Sequence, residues 1–271
     1  MNWPQRIICM TEETVETLYL LGEQDRIVGI SGFTVRPPEA RKEKPKVSAF
    51  TSAKIPKILE LKPDLVLGFS DLQADIAAEL IKHGVEVYVF NHRTVSGILR
   101  MIRTLGRLVD AKDKANELAE IYERRIAQIE RVTDAWQTKP KVYFEEWYKP
   151  IISGIGWVSE LIEIAGGVDC FSENAKHQGG KERIVADPMS VVEKQPDIII
   201  GSWCGKKFHP SKVGLREGWE DVPAVITQQV FEIKSAYILQ PGPAALSDGL
   251  DQLFEIMQNW HREYGKPVKT L

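Results

Sequence analysis

Residues Leu59–Gly68 read LELKPDLVLG, and residues Val192–Gly201 read VEKQPDIIIG. Each stretch runs from a helix-like segment through a Pro-Asp pair into branched apolar residues and a glycine. Proline cannot continue a helix and biases the residue before it away from helical angles, so we expect both helices to end there. The apolar run then predicts a short strand that is buried on both faces. The repeated block therefore predicts two similar halves.

A second pair of matching segments supports this duplication. Glu13–Gly22 reads ETVETLYLLG, and Gly156–Gly166 reads GWVSELIEIAG. Each predicts an amphipathic helix that a glycine closes at its C-terminus. Predicted strands precede these helices at residues 6–10 and 141–144. Each half is therefore expected to begin with a β-α unit.

The remaining pattern predicts an α/β fold with two Rossmann-like lobes and mainly parallel sheets. Further strands are predicted at 27–31 and 85–90, with a helix at 73–83 before the latter, and such alternation is typical of parallel sheets. We expect an N-terminal lobe over 1–95, a connecting helix over 96–138 and a C-terminal lobe over 139–271.

The connecting segment has apolar residues at helical spacing and predicts one long helix, in which Asp110 is the place for a break. At 1.5 Å per residue, about 40 residues would reach about 60 Å, enough to run along both lobes. Because such a connector is stiff, we expect ligand binding to cause small shifts and not a large swing.

Composition narrows the classes of function. The chain has 271 residues, 43% hydrophobic and 27% charged, which suits one or two globular domains. The net charge of −3, from 35 basic and 38 acidic residues, predicts no nucleic-acid partner. No apolar run approaches the roughly 20 residues that membrane insertion requires. We expect a monomer.

The N-terminus and the cysteines bear on location. Met1–Met10 lacks the charged and apolar regions of a secretory signal, and the three cysteines are scattered and odd in number. Both features favour a cytoplasmic location. The alternative is a periplasmic or cell-surface protein whose signal has been removed.

Ligands of open parallel sheets collect beyond the carboxyl ends of the strands, so we expect one ligand cleft between the loop edges of the two lobes. The first lobe contributes nine candidate ligand-binding residues: Glu12, Phe33, Arg36, Phe50, Thr51, Phe69, Ser70, Asp71 and His92. The second lobe contributes Glu145, Trp147, Trp203 and Lys206. Residues 240–243, after a strand predicted at 237–239, belong to the same edge.

The candidate residues favour binding over catalysis. Aromatic rings offer large rigid faces that suit a broad planar or macrocyclic ligand. The competing interpretation is that Phe50, Phe69 and Trp203 pack inside the lobe cores. No Gly-x-Gly-x-x-Gly, Walker A, Gly-x-Ser-x-Gly or His-Glu-x-x-His motif is present in the sequence. We therefore expect a protein that is not an enzyme.

One segment suggests metal chemistry. Cys204 is followed by Lys206 and Lys207, and neighbouring cations favour a thiolate that binds metal, with His209 as a second donor. No cysteine pair has the spacing of a zinc site. A plain structural thiol or a surface loop remains the alternative for Cys204.

The order and spacing of these motifs resemble those of a known family. The chain resembles the class III, helical-backbone periplasmic substrate-binding proteins of ABC importers for cobalamin and ferric siderophores, and it is most similar to the cobalamin binders. The likeness covers essentially the whole chain and is carried by Arg6–Cys9, Gly22, Val28–Ser31, Pro37–Pro38, Leu61–Val66, the long connecting segment and Ser159–Gly167.

The resemblance implies a ligand, but this chain differs from the family at the positions that dock onto the permease. It implies cobalamin or a related corrinoid as ligand, no required cofactor, and Phe33, Phe50 and Phe69 as pocket aromatics. The family also docks onto its permease through one glutamate on each lobe, and those positions hold Pro56 and Met189 here. Glu60 and Glu193 lie one helical turn further on. We therefore expect an intracellular or orphan binder in preference to an importer subunit.

Three alternatives stay open. A ferric-siderophore or haem binding protein of an ABC importer would bring Arg36, Arg93 or Lys206 together around an anionic ligand. A metal-processing enzyme would use Cys204 with Glu145 or His92. A structural or partner-binding role is the default where no ligand is found.

Overall fold

The computed structural model describes residues 3–265, so 1–2 and 266–271 at the ends of the two expected lobes lie outside the described residues. The chain forms two compact units. Unit 1 holds the chain up to His92 together with Ser96–Tyr122 and Gln240–Ala244. Unit 2 holds Arg93–Val95, Glu123–Leu239 and the chain from Ala245 onward.

Unit 1 is built on a five-stranded, fully parallel sheet in the order β3-β2-β1-β4-β5. Its strands are β1 Ile7–Cys9, β2 Ile27–Ser31, β3 Lys46–Ser48, β4 Leu65–Phe69 and β5 Val87–Phe90. The central strand β1 pairs with β4 from Ile7 opposite Leu65 to Cys9 opposite Leu67. All three residues of β1 are fully buried, because helices cover both faces of a parallel sheet.

The helices of this part of the chain follow the predicted β-α alternation. They are α1 Glu12–Leu21, α2 Pro38–Glu43, α3 Ile55–Glu60, α4 Ala74–Lys82 and α5 Val95–Leu108. The predicted glycine cap of α1 is confirmed, since Gly22 is left-handed with φ 77°. Ile8, Val47, Ile58 and Leu80 pack in one buried cluster of this unit.

The connecting segment is two helices, and the break predicted at Asp110 is confirmed. α5 ends at Leu108, and α6 spans Lys112–Thr133. Asp110 lies between them in the left-handed region with φ 62°, which ends the first helix. The two helices pack closely across this break, because a Cβ on Gly106 would lie 2.2 Å from the Cβ of Ala115. The expected rod of about 60 Å is therefore wrong, and 22 residues of α6 reach about 33 Å.

Unit 2 contains a sheet with the strand order β10-β9-β6-β7, and β8 pairs with β6. Its strands are β6 Lys141–Tyr148, β7 Ile151–Ser153, β8 Val168–Asp169, β9 Ile198–Gly201 and β10 Val230–Glu232. The pairing is parallel except for the antiparallel β6 and β7. The helices are α7 Gly156–Ile164, α8 Ser172–Ala175, α9 Met189–Lys194, α10 Pro223–Ile226, α11 Ser235–Ile238 and α12 Leu250–Tyr264.

The duplicated Pro-Asp blocks are confirmed. In both units the aspartate accepts backbone hydrogen bonds at the start of the neighbouring strand. The Asp64 carboxylate accepts the backbone N–H groups of Gln5 at 2.7 Å and Arg6 at 2.9 Å, at the start of β1. The Asp197 carboxylate accepts the N–H of Lys141 at 2.8 Å, at the start of β6. Each aspartate thus fixes the entry of the neighbouring strand.

In unit 2 one predicted strand is confirmed but is longer than expected, and a second predicted strand is wrong. The strand predicted at 141–144 continues to Tyr148 because β7 pairs with its second half, and Glu145 and Trp147 therefore lie within a strand. The strand predicted at 237–239 is the helical turn α11, in which the Leu239 N–H donates to the Ser235 carbonyl at 2.9 Å. Three apolar residues are too few for periodicity to separate strand from helix.

A large aromatic cluster forms the core of unit 2. Tyr143, Phe208 and Trp219 are buried together with Val191 and Ile199. A π-helical turn at Ala245–Gly249 leads into α12. Within residues 3–265, no helix has both the length and the apolar character that crossing a membrane demands.

Candidate functional site

The aromatic residues predicted for the first lobe lie at the carboxyl ends of their strands. Phe33 follows β2 and is 57% exposed, and Phe50 follows β3 and is 36% exposed. Phe69, the last residue of β4, is only 6% exposed and packs edge-on against His92, with ring centroids 5.3 Å apart. The rings of Phe33 and Phe50 are therefore accessible to solvent, whereas Phe69 belongs mostly to the interior.

The loop that carries Phe33 is held to the N-terminal half of α1. The Val35 N–H donates to the Glu12 carboxylate at 3.0 Å, and the Arg36 guanidinium donates to Glu16 at 2.9 Å. In this structure Glu12 and Arg36, both predicted to contact ligand, hold the loop in place. Their contact with a ligand stays a prediction.

Burial raises the pKa of two carboxyl groups in the first turn of α1, those of Glu12 and Glu13. Desolvation raises the pKa of Glu12 from 4.5 to about 8, although the Val35 N–H opposes the rise and Glu16 adds to it. Desolvation likewise raises the pKa of Glu13 from 4.5 to about 7, against the hydrogen bond from Thr11. Both carboxyl groups therefore carry protons to unusually high pH.

The segment Gln240–Ala244, which was predicted to belong to the ligand-facing edge, packs against α1 and His92. The Ala244 N–H donates to Glu16 at 3.0 Å, and a ring nitrogen of His92 lies 2.9 Å from the Pro241 carbonyl oxygen. Gly242 allows the close approach, since a Cβ there would lie 2.4 Å from the Cβ of Glu13. His92 is thus a buried anchor of this segment.

Ser70, Asp71 and Thr51 complete the predicted residues of unit 1. Ser70 is buried with φ 66°, and its hydroxyl accepts the Leu72 N–H at 3.3 Å, which starts a short 3-10 turn. Asp71 and Thr51 are exposed on the same edge of the sheet.

Gln73 is a residue of this site that the sequence analysis missed. Its fully buried side chain accepts the Phe69 N–H at 3.0 Å and donates to the Phe50 carbonyl at 2.9 Å. It therefore ties together two loops that carry predicted aromatics. The available signal was a glutamine at the start of the predicted helix 73–83, but its partners are too distant in sequence to infer.

In unit 2 a single carboxylate organises the site. Glu145 has no exposed surface, and its carboxylate accepts hydrogen bonds from the Tyr143 hydroxyl at 3.0 Å and the Trp203 indole at 3.2 Å. Arg216 donates two further bonds to it, at 2.6 and 2.8 Å. Burial, together with the Glu145 charge and hydrogen bond, raises the pKa of Tyr143 well above its ordinary range. Glu145 and Trp203 were expected from the sequence, whereas Arg216 was not.

Next to this carboxylate lies the Trp203 cluster, which consists of Trp147, Tyr148, Trp203 and Lys206. Tyr148 stacks on Trp203 with centroids 4.5 Å apart, and Trp147 lies 6.4 Å from Trp203. The Lys206 ammonium donates to the Tyr148 hydroxyl and lies 4.2 Å from the ring centroid. The hydrogen bond from Lys206 lowers the pKa of Tyr148. The structure thus brings together three predicted residues, Trp147, Trp203 and Lys206.

The remaining residues singled out in the sequence do not cluster with the candidate ligand-binding residues. Cys204 is exposed, and in the part of the chain that the structure describes no three His, Cys, Asp or Glu side chains are grouped to hold a metal ion. Metal binding by Cys204 stays a prediction. Pro56 lies in α3 and Met189 begins α9. Glu60 and Glu193 are exposed on the same two helices.

Comparison with known proteins shows the family and the fold. A family described as "Periplasmic binding protein" matches residues 7–237. The vitamin B12-binding protein of Vibrio campbellii is 26% identical over 90% of this chain and 86% of its own length.

Two solved structures share the fold. The periplasmic vitamin B12 binding protein of Vibrio cholerae has a TM-score of 0.76 at 22% identity, over 94% of this chain and 97% of that chain. The periplasmic heme-binding protein of Roseiflexus sp. RS-1 has a TM-score of 0.79 at 20% identity, over 94% of this chain and 99% of that chain. With two α/β units, mostly parallel sheets and a family match across most of its length, this chain belongs to the periplasmic binding protein family, a class of solute-binding proteins.

Proposed function

We propose that this protein binds cobalamin or a related corrinoid as the substrate-binding component of an ABC importer. The observation that carries the proposal is the aromatic surface at the carboxyl ends of the strands in each unit. Unit 1 presents Phe33 and Phe50, and unit 2 presents the Trp203 cluster.

Charge supports a corrinoid over an anionic iron chelate. Capture of an anionic siderophore requires cations that are available to the ligand, but Arg36 is paired with Glu16, and Arg216 with the buried Glu145. Lys206, whose partner is the neutral Tyr148 hydroxyl, is then the one cation of the Trp203 cluster. A corrin ring with amide side chains needs broad apolar contact and few ionic partners. The Vibrio campbellii relative, named for vitamin B12 binding, agrees with this choice.

A haem-binding role is the second candidate. It rests on the likeness in fold to the heme-binding protein of Roseiflexus and on the flat aromatic faces of Trp147 and Trp203, which suit a porphyrin equally well. Haem carries two carboxylates, so it requires free cations near these rings. The engagement of Arg216 by Glu145 argues against it.

The proposed location follows the solved relatives, both of which are named as periplasmic proteins. They favour a protein outside the cytoplasm over the cytoplasmic location expected from the sequence. An orphan role based on Pro56 and Met189 stays a prediction. Fractionation of native cells tests the location, because an exported protein is recovered outside the inner membrane.

Separate titrations with each ligand distinguish corrinoid binding from haem binding. Tryptophan fluorescence is followed while cyanocobalamin, aquocobalamin or haemin is added to the purified protein. We expect saturation by both cobalamins at micromolar or lower concentration and at least tenfold weaker binding of haemin, a difference of about 1.4 kcal/mol. Tighter binding of haemin would replace the first proposal with the second, and no saturation by either ligand would exclude both.

A further inference from the structure

One edge of the sheet in unit 1 has an excess of positive charge. Residues 36–62 contain eight basic and three acidic residues, whereas the whole chain has a net charge of −3. The net charge of the chain therefore conceals a basic stretch. This stretch spans α2, the edge strand β3 and α3. Five of its lysines form what we call the β3 lysine face: Lys42, Lys44, Lys46, Lys54 and Lys57.

Backbone contacts bring the lysines before and after the turn at residues 49–52 to the same edge. The Lys54 N–H donates to the Val47 carbonyl at 2.9 Å, so the chain returns alongside β3. The Lys57 ammonium donates to the Lys46 carbonyl at 3.0 Å. The positive charges of the two segments are therefore neighbours in space as well as in sequence.

The β3 lysine face presents its charges to solvent. Three of its lysines are exposed and two are half-buried. In the part of the chain that the structure describes, none of the five forms an ion pair with a carboxylate. Of the three carboxylates in the stretch, that of Glu43 accepts a hydrogen bond from the Tyr19 hydroxyl at 3.2 Å. Grouped positive charges without counter-charges create a local potential that attracts an anionic partner.

The type of basic side chain indicates which anionic partner fits. A guanidinium makes paired hydrogen bonds to a single carboxylate, whereas a lysine ammonium acts as a hydrated point charge. Both arginines of the stretch are engaged within the protein, Arg36 with Glu16 and Arg41 with the carbonyls of Gly32 and Thr34. The face therefore offers diffuse attraction, which suits a plane of lipid phosphates better than the shaped surface of an acidic protein.

We propose that the β3 lysine face docks the protein on a membrane surface that is rich in anionic phospholipid. Clusters of roughly four to eight basic side chains are typical of this kind of peripheral binding. The contact is electrostatic and requires no segment to enter the bilayer. The inference goes beyond the proposed corrinoid function and does not require it.

Sedimentation with lipid vesicles tests the docking. The protein is mixed with vesicles of phosphatidylcholine alone, or of phosphatidylcholine with phosphatidylglycerol, at about 0.1 M salt. We expect at least about tenfold stronger binding to the anionic vesicles. Raising the salt to about 1 M shortens the screening length from about 10 Å to about 3 Å, so this preference should disappear. Equal binding to both kinds of vesicle at low salt, or a preference that persists at high salt, would overturn the proposal.

Two triple variants with the same change in net charge localise the binding. The first replaces three exposed lysines of the face: Lys42→Gln, Lys46→Gln and Lys54→Gln. The second replaces three exposed lysines elsewhere: Lys112→Gln, Lys181→Gln and Lys212→Gln. The first should bind anionic vesicles at least about tenfold more weakly than the wild type, and the second should stay within about threefold of it. An equal loss in both variants would contradict the assignment to this face.

Two further measurements keep the outcomes distinct. Urea midpoints verify that both variants fold, and the lipid preference and salt dependence of the wild type need no substitution. Poly-L-glutamate stands for an acidic protein. Tighter binding of poly-L-glutamate than of anionic vesicles, per mole of charge, would overturn the lipid proposal in favour of a protein partner. Absence of cobalamin binding in a wild-type protein that still prefers anionic vesicles would sink the corrinoid function alone.

Discussion

The Arg216 guanidinium donates hydrogen bonds of 2.6 and 2.8 Å to the carboxylate of Glu145, whose side chain has no exposed surface. The two residues are 71 positions apart in the sequence. A buried carboxylate is costly unless a cation and hydrogen-bond donors compensate it. Arg216 therefore holds β6 to the segment before Trp219 and keeps the acceptor of the Trp203 indole in place.

The first prediction concerns this ion pair. Arg216→Met leaves an uncompensated buried carboxylate, so the free energy of unfolding should fall by about 3 kcal/mol. Adding Glu145→Gln removes that charge, and the double variant should be more stable than Arg216→Met alone. Urea unfolding of both variants provides the measurement. A double variant that is less stable than Arg216→Met would show that the charge is not the cause.

A second prediction concerns backbone conformation in unit 2. Gly166 has φ 93°, and a Cβ there would lie 2.5 Å from the Trp136 ring and 2.8 Å from Thr133. Gly166→Ala should cost about 3 kcal/mol, the sum of left-handed strain and overpacking. Gly205→Ala is the control, because Gly205 has φ 71° but nothing within 4 Å of its Cβ position. It should cost about 1 kcal/mol. Equal losses in thermal unfolding would contradict the packing argument.

The third prediction is a pH dependence of stability that arises in the first turn of α1. The pKa of Glu12 is raised from 4.5 to about 8, and that of Glu13 from 4.5 to about 7, by burial. Stability from these protonated groups is complete below pH 4.5 and is lost as pH rises toward 8. The charges that act on Glu12 are Glu13 and Glu16 on α1 and Arg36 on the facing loop.

Glu12→Gln mimics the protonated form and tests this dependence. Its stability should fall less than that of the wild type between pH 5 and pH 8, by at least about 1 kcal/mol. Urea midpoints at several pH values give the comparison. Parallel curves for the two proteins would show that Glu12 does not titrate in this range.

A fourth prediction concerns Gln73. Gln73→Glu keeps an acceptor for the Phe69 N–H but loses the donor to the Phe50 carbonyl, and Gln73→Leu loses both. Gln73→Leu should cost about 2 kcal/mol, because it leaves buried polar groups unpaired. Hydrogen exchange at residues 49–52 should rise in both variants, while exchange in β1 should change little. Protection of the Phe50 loop that equals wild type would exclude Gln73 as its anchor.

Sequence patterns predicted those parts of the fold that local physics determines. The Pro-Asp blocks and the Gly22 cap could be predicted because a proline or a glycine restricts its own neighbourhood. The second half of β6 could not, because its strand conformation depends on pairing with β7. α11 was also missed, since a short apolar run suits either strand or helix.

The residues of the candidate site also fall into those that local sequence predicts and those that depend on distant partners. Strand ends predicted the positions of Phe33 and Trp203, because the carboxyl edge of a parallel sheet follows from strand order. Arg216 and Gln73 were missed because their partners are distant in sequence. Glu12 contacts the loop at Val35, and His92 contacts the segment at Pro241. Neither contact could be predicted, because the sequence does not show that these segments pack together.

Equilibrium dialysis of cyanocobalamin against the wild-type protein and Trp203→Ala tests the corrinoid proposal, since the ligand is coloured and its uptake is read directly. The wild type should take up one equivalent with micromolar or tighter affinity. Loss of the stacked ring should weaken binding about tenfold, a cost of about 1.4 kcal/mol. Equal colour on both sides of the membrane with wild-type protein would contradict corrinoid binding.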